Sequence, residues 1–153
     1  MMLADELGLG EIDQVAFVVR DMQSALPAYQ SLFGPFTTRD VDIENLIFRS
    51  RKSRVSLRLA FGRSGGVEIE LVQTLSGDSP QAEHLARHGE GLHHIRYSIA
   101  DLETKQRLLE TKGYNVLAVG ERTGNRFAYL DKPETLGTTV IELIQWANAP
   151  SKA

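Results

Sequence analysis

Hydrophobic and polar residues alternate over two stretches of the chain that read alike. Residues 13-21 run DQVAFVVRD and residues 93-101 run HHIRYSIAD. The period of two predicts a β-strand in each. Laid over one another, Gln14 falls on His94 and Asp21 on Asp101 at one shared offset. An aspartate after a strand suits a helix N-cap, because its carboxylate accepts an orphan backbone N–H. Helical spacing follows in both copies. Residues 21-34 place Met22, Ala25, Tyr29, Leu32 and Phe33 on one face; residues 101-113 place Leu102, Leu108 and Leu109 there and stop at Gly113. Pro27 inside the first helix predicts a bend or a delayed start.

Each copy closes on a similar strand, VEIELVQ (67-73) and TVIELIQ (139-145), with Glu70 over Glu142 at a shorter offset. The second copy therefore has the shorter middle. Further strand candidates lie at 36-42, 45-49 and 54-61, and at 114-119 and 126-130. The pattern predicts an α+β protein built from two βαβββ modules, 12-73 and 92-146. Tails occupy 1-11 and 147-153. A linker, 74-91, carries a short helix, with Ser79 before it and Pro80 in its first turn. Neither half alone buries much core, so the two are expected to pack together as a curled mixed sheet, a cup with helices outside.

Side-chain alternation then assigns faces. On all four landmark strands one face is richly apolar and is expected to cover the helices. The other gathers Gln14, Glu70, His94 and Glu142, with Arg96 and Glu68. Carboxylates inside a protein are costly to desolvate and are expected to be paired or metal-bound. One imidazole, two carboxylates and an amide oxygen suit a divalent cation of intermediate hardness. For any one glutamate, a wet sheet face or pairing with Arg96 and Arg58 is the favoured explanation. Four donor-type residues at matched repeat positions favour the metal.

Composition narrows the choice. A 153-residue chain that is 42% hydrophobic has the size and make-up of one globular domain. It has no cysteine, which excludes disulfides, thiolate zinc sites and cysteine nucleophiles. A net charge of −3 argues against a nucleic-acid partner. No apolar run is long enough for a membrane span, and the acidic N-terminus does not read as a signal peptide. The expectation is a cytoplasmic protein acting on a small molecule.

Over residues 12-146 the chain resembles the vicinal-oxygen-chelate superfamily, on the strand-Asp-helix openings, the IELVQ and IELIQ strands and FAYLDKPETLGTTVIEL. The stretches SGDSPQAEHLARHGEGLHHI and TGNRFAYLDKP are similar to methylmalonyl-CoA epimerases. Gln14, Glu70, His94 and Glu142 stand at the four ligand stations of a glutamine-first glyoxalase I. The resemblance implies a divalent ion (Zn, Co, Ni, Mn or Mg) on those four residues, and a homodimer. It also implies an isomerase, epimerase or glyoxalase-type lyase that moves a proton next to a carbonyl of a small molecule or acyl-CoA thioester. Glu142 is then the expected base, with Glu70 second. Two departures stand out. The epimerase pattern expects histidine at position 14, and a second catalytic glutamate on the strand where Ser56 stands; with Gln14 in place of the first histidine, an extradiol dioxygenase site is also incomplete. The alternative within the same fold is a non-catalytic binding protein of the bleomycin-resistance kind.

Substrate contacts are more open. Arg96 and Arg58 are expected in the cup-facing register, to meet a substrate carboxylate or to pair internally with Glu68. Asn125 and Arg126 form either a substrate-contacting loop or part of a turn at Gly124. The basic run 49-58 fits either CoA phosphates or a solvated hairpin, the commoner case. His84, His88 and His93 are read as flanking residues, His93 pointing away from the cup.

Overall fold

In the computed structural model, which describes residues 2-148, eight strands close into a barrel, in the order β1 (Gln14–Val18), β4 (Val67–Ser76), β3 (Arg51–Ser64), β2 (Thr37–Phe48), β6 (Asn115–Arg122), β7 (Asn125–Asp131), β8 (Val140–Gln145) and β5 (Gly91–Ser98). The first half of the chain supplies β1, α2 (Met22–Phe33), β2, β3 and β4. After α3 (Pro80–His88), the second half supplies β5, α4 (Leu102–Thr111), β6, β7 and β8. Strand, helix and three strands thus occur twice. The sheet is mixed, since β1 lies parallel to β4 and β5 parallel to β8 while the remaining pairs are antiparallel. Both seams between the halves, β1 with β5 and β2 with β6, close within one chain.

Local chemistry explains the elements. The Asp21 and Asp101 carboxylates accept from the N–H of Ser24 (3.0 Å) and Thr104 (3.2 Å), capping α2 and α4. A second clamp repeats with them. Gln73 Oε1 accepts from the Met22 N–H at 2.8 Å, and Gln145 Oε1 from the Leu102 N–H at 2.9 Å. A glutamine of each closing strand, Gln73 within β4 and Gln145 at the end of β8, therefore ties down the first turn of its own module's helix. Helix α2 runs unbroken through Pro27 from its predicted start, so the proline costs one N–H rather than delaying the helix.

Three elements differ from the sequence expectation. Segments 36-42 and 45-49 form one strand, β2, because the β2–β3 register slips between Ile43 and Leu46 without breaking. Before the slip Val41 and Ile43 face the barrel interior, and after it Leu46 and Phe48 do. The N-terminal tail contains a short helix, α1 (Leu3–Leu7), whose Leu7 is buried with Ile99, Leu102 and Leu109. Another short helix, α5 (Pro133–Leu136), precedes β8. Most of the predicted C-terminal tail, residues 149-153, lies outside the described residues.

Two kinds of core result. Outside the barrel, Leu71 and Val19 pack with Met22 against α2, and Leu130, Ile141 and Leu143 pack with Leu109 against α4. Inside, Val41, Val55, Leu57 and Leu59 meet Phe127, Tyr129 and Ile144. One wall of the barrel interior is therefore apolar. The other carries the polar residues.

Candidate functional site

Strands β1, β4, β5 and β8 are neighbours, and they bring Gln14, Glu70, His94 and Glu142 to one point. Around Nε2 of His94 stand Glu142 Oε2 at 2.9 Å, Gln14 Oε1 at 3.1 Å and Glu70 Oε1 at 3.8 Å. Gln14 is oriented by its other end, its Nε2 donating to Glu68 Oε1 at 2.8 Å and to Glu70 Oε2 at 3.4 Å. Gln14 and His94 are fully buried, and the two glutamates nearly so. A cavity of about 410 Å³ opens beside them, with Glu68, Glu70, Arg96 and Glu142 on its polar wall.

Electrostatics follow from that enclosure. Burial lifts the Glu70 carboxyl to about 7, with the neighbouring Glu142 adding to the rise and His94 and Arg96 opposing it. Burial likewise raises the Tyr129 phenol well above its ordinary range and drives the His93 imidazole well below its own. Because the folded Glu70 binds its proton more tightly than the unfolded chain does, stability is lost as pH rises from about 4.5 to about 7. Metal-free protein is thus expected to melt lower at pH 7.5 than at pH 5, and Glu70→Gln to flatten that part of the profile. A Glu70→Gln profile as steep as the parent's, followed by calorimetry, would contradict this.

The remaining predicted site residues separate. Arg96 faces the cavity, its Nε bonded to Asp13 at 2.7 Å and its second nitrogen 3.7 Å from Glu68, with the Trp146 ring stacked 5.1 Å away. Asn125 also faces the cavity, and its side-chain oxygen accepts from the Ala147 N–H. Ser56, Arg58 and Arg126 do not. On β3 the interior positions are Val55, Leu57 and Leu59, so alternation turns Ser56 and Arg58 outward, where they bond Asp42 and Asp40 of β2. The cup-facing register expected for Arg58 is corrected accordingly. Arg126 lies beside inward-facing Phe127 and lines a separate outer groove with Glu103 and Gln106 of α4. In the basic run, Arg49 and Ser50 form the β2–β3 turn with positive φ; Arg49 pairs with Glu83 and Arg54 with Glu44.

His93 also departs from expectation. A regular strand would turn it away from His94, but the β1–β5 register slips here, with Ala16 opposite His94 and Phe17 opposite Leu92. The bulge swings both rings together, Nδ1 to Nδ1 at 2.8 Å. Helix α3 caps this end of the barrel, its His84 ring edge-on to His93 at 4.9 Å and its Gln81 reaching the cavity. Gly77 allows that path: with φ +90, a Cβ there would stand 2.1 Å from the Arg54 carbonyl oxygen. Arg39, Arg122 and Trp146 on the cavity rim had no sequence signal beyond strand parity, and parity cannot be counted before the β2 slip is known.

A family model described as glyoxalase/bleomycin resistance protein/dioxygenase superfamily matches residues 13–129. The chain belongs to that superfamily. The protein YqjC of Bacillus subtilis is 24% identical over 135 residues, covering 86% of this chain and 90% of that one. Solved relatives share the fold. The hypothetical protein BH1468 of Bacillus halodurans has a TM-score of 0.63 at 22% identity, covering 93% of this chain and 98% of that one. Methylmalonyl-CoA epimerase from Mycobacterium tuberculosis has 0.62 at 20%, covering 92% and 90%. The Streptomyces coelicolor epimerase in complex with 2-nitronate-propionyl-CoA has 0.61 at 24%, covering 94% and 99%. No helix among the described residues is long and apolar enough to cross a membrane.

Whether this superfamily member suits a divalent ion is decided by its donors. Among the described residues, three His, Asp or Glu side chains do not by themselves make a ready cage. The amide of Gln14 must be counted with them. Donors sharing one ion at about 2.1 Å stand about 3.0–3.4 Å apart, and the separations from His94 Nε2 run from 2.9 to 3.8 Å. One ring nitrogen facing three oxygen acceptors can satisfy only one of them with its single proton, whereas a cation can satisfy them all. The set fits.

Proposed function

We propose that the chain is a metal-dependent isomerase, epimerase or lyase that moves a proton on a carbon next to a carbonyl, in a small molecule or an acyl-CoA thioester. One observation carries the reading: two carboxylates flank a buried imidazole, 2.9 and 3.8 Å from its Nε2, at the edge of a substrate-sized cavity. Gln14, Glu70, His94 and Glu142 would hold the divalent ion. When bound, it supplies positive charge that stabilises the oxygen of a deprotonated carbonyl compound.

The protein's own residues supply the rest. An isomerase needs one group to take the proton and one to return it. The wall opposite the donors is formed by Val41, Leu57 and Leu59, with Ser56 outside, so among the described residues no carboxylate faces the site from there. Glu68 is engaged by Gln14 and Arg96, so both acid/base roles are given to Glu142 and Glu70. Glu142, whose carboxylate stands 2.9 Å from His94 Nε2, is the base, and Glu70, at 3.8 Å, is the second acid/base group. Arg96, held by Asp13 and Glu68, anchors the polar wall, while Arg39 and Arg122 at the rim favour an anionic substrate. A cytoplasmic homodimer accords with this reading.

Two measurements test it. Metal analysis of protein purified without chelator is expected to show about one divalent ion per chain. Acyl-CoA thioesters, and methylglyoxal with glutathione, are then screened for solvent deuterium exchange at the carbon beside the carbonyl. Substoichiometric metal after reconstitution would instead support a binding protein, whose polar floor is closed by its own hydrogen bonds.

A further inference from the structure

The geometry points to His93 as the positioning residue that fixes the tautomer of His94, so that Nε2 of His94 presents its lone pair to the cup. The inference rests on the metal reading above. A neutral imidazole carries one N–H and one lone pair, and the bond made by one nitrogen decides the state of the other. His94 is fully buried, and its Nδ1 meets Nδ1 of His93 at 2.8 Å. Two ring nitrogens form a hydrogen bond only when one holds the proton and the other does not. The tautomers of the two rings are therefore coupled. For His94 to offer a lone pair at Nε2, its proton must sit on Nδ1 and be accepted by a bare Nδ1 of His93. The proton of His93 then sits on its Nε2.

Three features build His93 for that task. The β5 bulge puts two adjacent rings in contact that a regular strand would hold on opposite faces. The rings of His84, at 4.9 Å and 85°, and Tyr129, at 6.1 Å, hem in its plane. Its buried Nε2 has no hydrogen-bond partner among the described residues. A buried polar atom left so poorly satisfied is rare where it has no role. The arrangement matches the general pattern in which a metal-binding histidine gives its second N–H to a fixed acceptor, here a neutral imidazole in place of a carboxylate or carbonyl.

The test uses Zn²⁺ as probe on the whole protein, by competition against a chromophoric chelator. His93→Phe removes the acceptor and is expected to weaken zinc binding about 10–100-fold. His93→Gln, whose amide carbonyl can accept, is expected to recover most of the loss. In zinc-loaded wild type, two-bond ¹⁵N–¹H correlation spectra are expected to show His94 protonated at Nδ1 and His93 at Nε2. Equal affinity in wild type and a folded His93→Phe overturns the inference, as does zinc on Nδ1 of His94. If His93→Phe does not fold, the wild-type spectrum decides alone. Wild type that binds no zinc brings down the metal reading itself, and this inference with it; unchanged binding by His93→Phe removes only the role of His93.

Discussion

Glu142→Gln is expected to lower turnover by about 10²–10⁴-fold while leaving the fold intact. The substitution keeps the volume and a hydrogen-bonding oxygen beside His94 Nε2, now 2.9 Å from the carboxylate, and removes only basicity and charge. Glu142 is buried on the interior face of β8, with Tyr129 of β7 beside it in the register, so a larger change would confuse loss of chemistry with loss of packing. Solvent deuterium exchange reads the proton transfer directly, and circular dichroism reads the fold. Exchange within tenfold of wild type, in folded protein, would remove Glu142 as the base and leave Glu70 as the remaining carboxylate of the donor set.

One residue further along β8, the opposite outcome is expected. Leu143→Ala should destabilise the protein by about 2–5 kcal/mol, the range for truncating a buried leucine. Leu143 is fully buried on the outer face of the strand, among Leu109, Leu130 and Ile141 under α4. The sheet and the helix bound to it through Gln145 cannot both collapse into the space left behind. A domain of this size has roughly 5–15 kcal/mol in total, so the loss is a large share of it. The unfolding midpoint in urea measures it, and a change below about 1 kcal/mol would show that the site relaxes. The pair of substitutions separates the two faces of one strand: chemistry inward, cohesion outward.

Alternation made this division readable. On β1, β4, β5 and β8 the apolar residues face helices, so a period of two sorts Gln14, Glu70, His94 and Glu142 to the other side before any coordinates exist. The same logic misplaces Ser56 and Arg58. On β3 the apolar face forms the inner wall of the barrel, and Ser56 and Arg58 on its outer face bond Asp42 and Asp40. Nothing in a single strand says whether its apolar side belongs to a helix or to a barrel interior. That depends on which strands lie opposite.

Register slips were also invisible. One fuses two predicted strands into β2, and another turns His93 onto His94. A slip is set by how two distant strands pair, and it reverses every parity counted beyond it. Arg39 at the rim, Gln81 from α3 and Asp13 beneath Arg96 are likewise products of placement.

The sequence by itself determined the duplicated strand-helix-strand order, the caps at Asp21 and Asp101, and the four donor-type side chains sharing a face, because these depend on residues a few positions apart. Only the tertiary structure decided that the two halves close on each other within one chain, and that the donors surround one imidazole nitrogen. It also decided that the opposite wall is apolar. Those outcomes rest on pairings between residues more than fifty positions apart, such as Gln14 with Glu68 and His94, which no local pattern encodes.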